Sequence, residues 1–219
     1  MNILEKWSIS IEELSRAIDD NGSLRGMVFG YVAEIKLREL LSSHPGVSQI
    51  GKDDDHDRKK KGDLRLVYRG HEFKVEAKSL QTARNRRLAD GSFAGVSQVD
   101  ASDRRTVTLP DGSALQTTNL VVGEFDVLAV NCFTFDNQWN FVFARNSDLP
   151  RSTHRAYSVE QRIHLLATTV SVMWPPQGIF RADVFVLLDE MIYETQQANT
   201  GKVVVIQEKD EAPRVIEEK

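Results

Sequence analysis

Apolar residues near the start of the chain recur every three or four positions, which is the spacing of an amphipathic helix. A capping box at 10–13, with Ser10 as the cap and Glu13 reaching back to it, predicts a short helix that stops at Asn21-Gly22. A longer helix is predicted over about 23–43, and Pro45 ends it because proline cannot continue a helix. The apolar positions of this helix are Val28, Val32, Ile35 and Leu40, with Leu24, Tyr31 and Leu41 nearby.

Alternation of apolar and polar residues dominates after the long helix, and it predicts β-strands. Strands are expected over 47–50, 63–68, 72–78, 125–135 and 139–145. The run 127–130 is apolar throughout, which is typical of a strand buried on both faces. A polar segment at 79–119 interrupts this pattern, and its turn signal at 109–112 predicts a hairpin between 106–109 and 114–118.

A two-residue turn at Arg69-Gly70 would fix the register of the strands on either side of it. Leu64 then lies across from Val75, and Asp63 lies across from Glu76. Because side chains alternate between the faces of a strand, the apolar residues share one face and the charged residues share the other. The charged face is expected to present Asp63, Arg65, Lys74, Glu76 and Lys78.

Two carboxylates that oppose each other across a strand pair repel unless a cation binds between them. Mg²⁺ suits such a site, since it prefers oxygen ligands and usually keeps several waters. It would polarise a phosphoryl oxygen and lower the pKa of a bound water. Lys78 could hold or deprotonate that water, or neutralise charge that develops on a phosphate. This face of the hairpin therefore predicts metal-dependent phosphodiester hydrolysis.

The string Asp63 … Val75-Glu76-Ala77-Lys78 resembles the PD-(D/E)XK nuclease superfamily, in which an acid at a strand start precedes acid-x-Lys on the next strand. The superfamily's proline before the first acid is Gly62 in this chain. The resemblance covers about 23–145. It implies that Asp63, Glu76 and Lys78 are catalytic, with Glu34 on the preceding helix as a further acid.

The same resemblance implies metal binding at Asp63, Glu76 and Ala77, with Mg²⁺ as the cofactor and Mn²⁺ as a substitute. The implied fold class is α/β (α+β), with a restriction-endonuclease-like core: a central mixed β-sheet flanked by helices, carrying a basic β-rich insertion at 79–119. One nuclease domain over 1–219 is expected, with a C-terminal helical part at 150–195 and a polar tail at 196–219.

Within the superfamily the chain looks most like a type II restriction endonuclease, since its size suits one catalytic domain with no helicase or ATPase part. That likeness implies double-stranded DNA as the substrate, a homodimer that cuts both strands, and no nucleotide cofactor. Two other functions fit the same residues. One is a repair or recombination nuclease without strict sequence preference. The other is a non-catalytic DNA-binding module, which has no need of an acid pair beside a lysine.

The segment 79–119 carries the residues expected to contact DNA. Arg84, Arg86 and Arg87 are expected at phosphates. Arg104 and Arg105 are suited to guanine and Gln98 to adenine, with phosphate contact or plain solvation an equal alternative for each. Ser102 and Asp103, which precede the arginine pair, complete this candidate set.

Charge is distributed unevenly along the chain. The stretch 58–105 has 13 basic and six acidic residues, a local balance of +7; since the whole chain carries −4, the remainder carries −11. Such a split predicts a local surface able to neutralise phosphates.

Composition is that of an ordinary globular protein, with 41% hydrophobic and 27% charged residues. A single cysteine, Cys132, excludes an internal disulfide, and residues 1–6 lack the pattern of a signal peptide. No run of about 20 apolar residues exists to span a bilayer. A cytoplasmic protein without a membrane partner is expected.

Overall fold

The computed structural model describes residues 1–52 and 62–209, with side chains up to residue 198. The chain divides into two compact units, Met1–Ala182 and Asp183–Lys219. Most of the charged loop predicted at 52–62 lies outside the described residues. In the described part, the helices are α1 Ile3–Trp7, α2 Ile11–Asp19, α3 Gly22–Ser42, α4 Phe133–Asp136, α5 Val159–Arg162 and α6 Val184–Lys209. The strands are β1 Val47–Gly51, β2 Leu64–Tyr68, β3 His71–Ser79, β4 Arg86–Arg87, β5 Phe93–Gln98, β6 Asp100–Thr108, β7 Ala114–Asn119, β8 Val127–Asn131, β9 Phe141–Arg145 and β10 Thr169–Trp174.

A five-stranded mixed sheet in the order β1-β2-β3-β8-β9 forms the centre of the first unit. Neighbouring strands are antiparallel except β3 and β8, which run parallel. Every residue of β8 is buried, as its apolar run predicts. The structure confirms the predicted fold class, a mixed α+β protein whose central mixed sheet is flanked by helices.

The β2–β3 hairpin has the predicted register, with Tyr68 across from His71 and Leu64 across from Val75. Its turn residues Arg69 and Gly70 have φ angles of 47° and 79°. Positive φ at both central residues is the mark of the type I′ turn, whose twist matches that of the strands it joins. The turn therefore fixes which residues share a face.

The long helix α3 buries a different stripe from the one its apolar spacing suggests. Its buried residues are Ala33, Leu37 and Leu41, at intervals of four, and the helix packs against β1 and β3. Tyr31 and Ile35, members of the predicted stripe, are about half exposed, at 52% and 50%. The helix is apolar on two sides, so the period alone did not show which side faces the sheet.

The predicted insertion is rich in strands, as expected, and its β6–β7 hairpin has Thr108 across from Ala114. Strand β5 of the insertion pairs with β4 and with β10, which comes from much later in the chain. Leu80 and Val99 of the insertion join the core cluster that contains Leu128 and Val142 of the central sheet. The insertion is thus built into the core of the unit.

Two predicted boundaries are corrected. The apolar segment 125–135 was expected as one strand, but β8 ends at Asn131 and the short helix α4 follows. The side chain of Asn131 accepts a hydrogen bond from the backbone N–H of Phe133 at 3.0 Å, which turns the chain out of the sheet. The segment 150–195, expected to be helical, contains β10, where Thr169–Trp174 alternates between exposed and buried positions.

The second unit contains α6, which extends to Lys209 and so includes much of the segment predicted as a polar tail. The carboxylate of Asp183 accepts a hydrogen bond from the N–H of Phe185 at 2.8 Å, in the manner of an N-cap. No helix within the described residues has the length and apolar character needed to cross a membrane.

Candidate active site

A tight backbone turn places Asp63 at the entrance to the β2–β3 hairpin. Gly62 has a φ of +90°, and a Cβ atom there would lie 3.3 Å from the Cβ of Lys74. The N–H of Asp63 donates to the carbonyl of Val75 at 3.0 Å. Proline, with φ fixed near −65°, cannot adopt this backbone. The glycine that departs from the superfamily pattern is therefore required by the local geometry.

The Asp63 carboxylate lies against the backbone of β3. Its Oδ2 accepts a hydrogen bond from the N–H of Ala77 at 2.7 Å. The regular ladder ends at Leu64–Val75, so Asp63 stands just before β2 and is not the ladder partner of Glu76 that the register suggests. The hydrogen bond nevertheless directs the carboxylate to the residue between Glu76 and Lys78.

Glu76 and Lys78 form a largely buried ion pair on β3. The Nζ of Lys78 donates to Oε1 of Glu76 at 2.6 Å, and Glu76 is only 9% exposed. Burial raises the pKa of the Glu76 carboxyl; the Lys78 ammonium opposes this, the Asp63 and Glu124 carboxylates add to it, and the net shift is upward. Asp63 and Glu76 therefore interact as like charges.

The pKa of Lys78 is raised despite its burial. Desolvation favours the neutral amine, but the carboxylates of Glu76 and Asp63 outweigh it and hold the proton on Nζ. Lys78 is thus an ammonium at neutral pH in this structure.

Glu34 projects from α3 into the same region. The Nζ of Lys52 donates to its carboxylate at 2.7 Å and lies 4.8 Å from the centre of the Tyr31 ring. One cavity is lined by Glu34, Lys52 and Asp63, and a second, of about 440 Å³, by Glu34, Ala77 and Lys78. Gly26 and Gly30 of α3 line both cavities, and a Cβ atom on either glycine would meet nothing within 4 Å. Glu34 lines both cavities, Asp63 lines the first and Lys78 the second, whereas Glu76 lines neither and joins the site through its ion pair with Lys78.

The donor set suits a hard cation that keeps part of its water shell. Among the residues the structure describes, no three His, Cys, Asp or Glu side chains come together as a ready metal cluster. Mg²⁺ is commonly held by only one or two carboxylates plus waters, which Asp63 and Glu76 can supply. The repulsion between these two carboxylates is the specific feature that a bound cation would relieve.

The candidate DNA-contact residues are spread along the β-rich insertion, and most are exposed. Arg84, Arg86 and Arg87 lie around β4 at the surface, and the guanidinium of Arg87 sits 5.8 Å from the centre of the Phe93 ring. Gln98 accepts a hydrogen bond from Gln81 and donates one to Asp100 at 3.1 Å. On β6, Ser102, Asp103 and Arg104 are exposed.

Arg105 differs from its neighbours because both of its terminal nitrogens bind the carboxylate of Glu124. The Glu124 side chain is 9% exposed and also accepts the N–H of Val121 at 2.9 Å. The guanidinium of Arg105 was predicted as a candidate contact to guanine. In this conformation it is bound by the carboxylate of Glu124.

Two residues that shape the site were not predicted from the sequence. Lys52, at the edge of a charged loop, carries no pattern that singles it out. Glu124 pairs with a residue 19 positions away, which no local spacing reveals. Next to this site, the carboxylate of Asp126 accepts the N–H of Lys74 at 2.7 Å, which holds the start of β8 against β3.

Comparisons with known proteins do not assign this chain to a family. No protein-family model matches the chain, and no curated protein matches it at a significant level. A solved structure described as that of a bacterial homing endonuclease, I-Ssp6803I, aligns with 62% of this chain and 85% of its own, at 17% sequence identity and a TM-score of 0.33. A TM-score this low supports no statement about the activity of this chain.

Proposed function

We propose that the chain is a metal-dependent endodeoxyribonuclease of the PD-(D/E)XK type. The observation that carries the proposal is the convergence of Asp63, Glu76 and Lys78 at one end of the β2–β3 hairpin. Asp63 is bonded to the backbone between the other two, and Lys78, which is paired with Glu76, lines a cavity together with Glu34. A buried acid next to a second carboxylate costs stability, and costs of this kind are often retained at binding or catalytic sites.

In this proposal Asp63 and Glu76 hold a Mg²⁺ ion, with Ala77 contributing its main-chain carbonyl. When bound, the ion supplies charge stabilisation at the phosphate and a water of lowered pKa. Binding of a cation beside Glu76 competes with the Glu76–Lys78 ion pair. Lys78 is then available to the phosphate as an ammonium.

Of the two roles predicted for Lys78, we favour charge stabilisation. In the metal-free site the carboxylates of Glu76 and Asp63 raise its pKa and hold the proton on Nζ. Its ammonium is suited to stabilising the negative charge that develops on the phosphoryl oxygens during attack by water. The carboxylate of Glu34 accepts a hydrogen bond from Lys52 and lines both cavities. It is suited to orienting a water at the edge of the site.

DNA is the substrate that the charge distribution favours. The stretch 58–105 carries a balance of +7 within a chain of net charge −4, and its exposed arginines Arg84, Arg86, Arg87 and Arg104 lie on the insertion. Arginines of this kind bind the phosphate backbone whatever the sequence. In its more specific form, the proposal is a restriction enzyme that cuts DNA at a defined recognition sequence.

Digestion of a long DNA of known sequence, with and without Mg²⁺, tests both levels of the proposal. Discrete fragments that require the metal support a sequence-specific enzyme. A continuous smear supports a nuclease of the same chemistry without strict specificity. If the wild-type chain binds DNA but leaves it intact with Mg²⁺ and with Mn²⁺, the catalytic proposal fails and a binding module replaces it.

A further inference from the structure

The larger cavity beside Lys78 has both apolar and amide groups in its lining. It is lined by residues of α3 and of the end of β3, and it is called the α3–β3 cavity below. Its volume of about 440 Å³ is that of a pocket for a small organic ligand, which is typically about 300–1,000 Å³. Asn131 and Gln81 contribute amides to the lining. The apolar residues in the lining are Phe29, Ala33, Leu80 and Phe141.

Two glycines leave space on the α3 side of this cavity. Gly26 and Gly30 lie about one turn apart on the helix, and both line the cavity. Glycine inside a helix is less favourable than alanine, because a more flexible backbone must be ordered. A Cβ atom on either residue would meet nothing within 4 Å, so protein packing does not require glycine there. The space beside the two glycines is available to a ligand.

Phe29 is an aromatic residue of the lining that other rings hold in place. Its ring is stacked with that of Trp139, with 5.6 Å between the centroids and 28° between the planes. Phe133 meets Phe29 edge-on at 5.7 Å and packs against Trp139 at 4.4 Å. Contacts of this kind fix the orientation of an aromatic side chain. Nucleobases that have left a duplex stack on such rings, whatever their identity.

The buried amide of Asn131 has more donor capacity than its protein contacts use. The side chain is 2% exposed, and its Oδ1 accepts the N–H of Phe133 at 3.0 Å, which fixes its orientation. Its Nδ2 carries two N–H groups. Among the residues that the structure describes, Nδ2 contacts a single acceptor, the hydroxyl of Ser79, at a long 3.4 Å. Buried donors are seldom left without an acceptor, because they have lost their water. An acceptor atom on a ligand would complete the bonding of this amide.

A chain of hydrogen bonds orients the amide of Gln81. The carboxylate of Asp100 can only accept, so Gln98 turns its Nε2 to it at 3.1 Å. The Oε1 of Gln98 therefore accepts from Nε2 of Gln81, at 3.0 Å. Within the described part of the chain, Oε1 of Gln81 then has no donor. The cavity thus offers an amide donor from Asn131 and an amide acceptor from Gln81.

We propose that the α3–β3 cavity binds one nucleobase that has left the DNA stack, next to the phosphate that Lys78 contacts. The pairing edge of a nucleobase carries both donors and acceptors, which Asn131 and Gln81 complement, and its face suits Phe29. The inference rests on the proposed function for its ligand, DNA, and specifies the form of that DNA. Moving a base out of a duplex costs least where the base is already unpaired. The preferred substrate is therefore DNA with an unpaired nucleotide beside the scissile phosphate.

Equilibrium binding of labelled DNA to the full chain, in the absence of divalent metal, tests this site. Three duplexes differ at one position: one is fully paired, one has a single unpaired adenine, and one has an abasic residue in place of that adenine. The wild type should bind the unpaired adenine about tenfold more tightly than the abasic residue, which is the order of a base–aromatic stack. Equal affinity for these two duplexes, or no binding to any of the three, overturns the inference.

Filling the cavity locates the effect. Gly30→Leu places a side chain in the open space, and leucine favours the helix, so the variant should fold. Its preference for adenine over the abasic residue should fall to about twofold or less. Gly22→Leu, on the first residue of α3, is the matched control: its Cβ also meets nothing within 4 Å, but Gly22 does not line the cavity. The control should keep the tenfold preference, and a Gly30→Leu protein that keeps it as well contradicts the site.

Gln81→Met keeps the test decisive if Gly30→Leu fails to fold. Methionine has a similar size but no amide acceptor, so the preference for adenine should fall several-fold, and an unchanged preference overturns the inference. Cleavage with Mg²⁺ separates this inference from the proposed function. A chain that prefers the unpaired adenine but cuts no DNA keeps the cavity assignment and loses the nuclease activity. A chain that cuts DNA without the preference keeps the activity and loses the cavity assignment.

Discussion

Burial and charge act against each other at Glu76. Burial raises the pKa of its carboxyl, Lys78 opposes the shift, and Asp63 adds to it. Burial and the second carboxylate both disfavour the ionised form of Glu76, so a cation beside it would stabilise that form, and acids with a perturbed pKa cluster at functional sites. We therefore assign ligand binding to the two acids and charge stabilisation to Lys78.

Replacing Lys78 by glutamine tests the charge-stabilising role. Lys78→Gln removes the ammonium but keeps a hydrogen-bond donor near Glu76, so kcat should fall by about 10²–10³-fold. DNA affinity should change little, because a single buried lysine contributes little to phosphate binding. Lys74→Gln, on an exposed position of the same strand, is the control. Cleavage and filter-binding assays measure the two effects, and equal losses of kcat in both variants would argue against a specific role.

Replacing Gly62 by alanine tests whether the turn at this residue positions Asp63. Gly62→Ala places a Cβ in a left-handed conformation and 3.3 Å from Lys74, which should cost about 1–2 kcal/mol of stability. Gly112→Ala has a similar φ of +82° but open space around it and no link to the site.

At temperatures where both glycine variants are folded, cleavage should fall in Gly62→Ala and not in Gly112→Ala. Urea unfolding supplies the stability of each variant, and a cleavage assay supplies the rate. If the two variants cleave alike, the turn does not control the position of Asp63.

At the scale of elements, the β6–β7 hairpin is held by the Arg105–Glu124 pair. Glu124→Gln leaves a mostly buried guanidinium without its carboxylate, and unfolding free energy should fall by roughly 2 kcal/mol. Arg104→Gln, at the exposed neighbouring position, should change stability by less than about 0.5 kcal/mol.

DNA binding distinguishes the two arginines further. Arg104→Gln is expected to weaken DNA binding without loss of stability, whereas the effect of Glu124→Gln should appear in urea unfolding. If the Glu124→Gln protein is as stable as the wild type, the structural role assigned to Arg105 is contradicted. Arg105 is then again a candidate for contact with a DNA base.

The sequence predicted the β2–β3 hairpin because its signals are local: a glycine-containing turn and period-two alternation determine the register between them. The same locality predicted that Asp63, Glu76 and Lys78 lie near one another, although Asp63 is not the ladder partner of Glu76. Three other features depend on contacts between distant segments: the buried side of α3, the pairing of β10 with β5, and the Arg105–Glu124 bond. Periodicity and propensity do not carry such information, so these features appear only in the folded chain.

At the scale of the whole molecule, the chain is acidic overall, but the sequence stretch 58–105 that contains Asp63, Glu76 and Lys78 is basic. DNA binding should therefore weaken steeply with salt even though the net charge is −4. Arg86→Gln and Arg87→Gln should each reduce the slope of log K against log salt by about 0.9, since each removes one phosphate contact. Arg16→Gln on α2 should leave the slope unchanged. Slopes that are the same in all four proteins would exclude the insertion from the DNA interface.

Direct measurement of Mn²⁺ binding by electron paramagnetic resonance tests the central claim, that Asp63 and Glu76 hold one cation between them. Asparagine at position 63 still accepts the hydrogen bond from Ala77, so Asp63→Asn removes charge without removing the contact. Wild type should bind one ion, Asp63→Asn and Glu76→Gln should each bind it at least about tenfold more weakly, and Glu72→Gln should bind it as wild type does. Unchanged Mn²⁺ affinity in both site variants, or no binding by the wild type at millimolar Mn²⁺, would contradict the account.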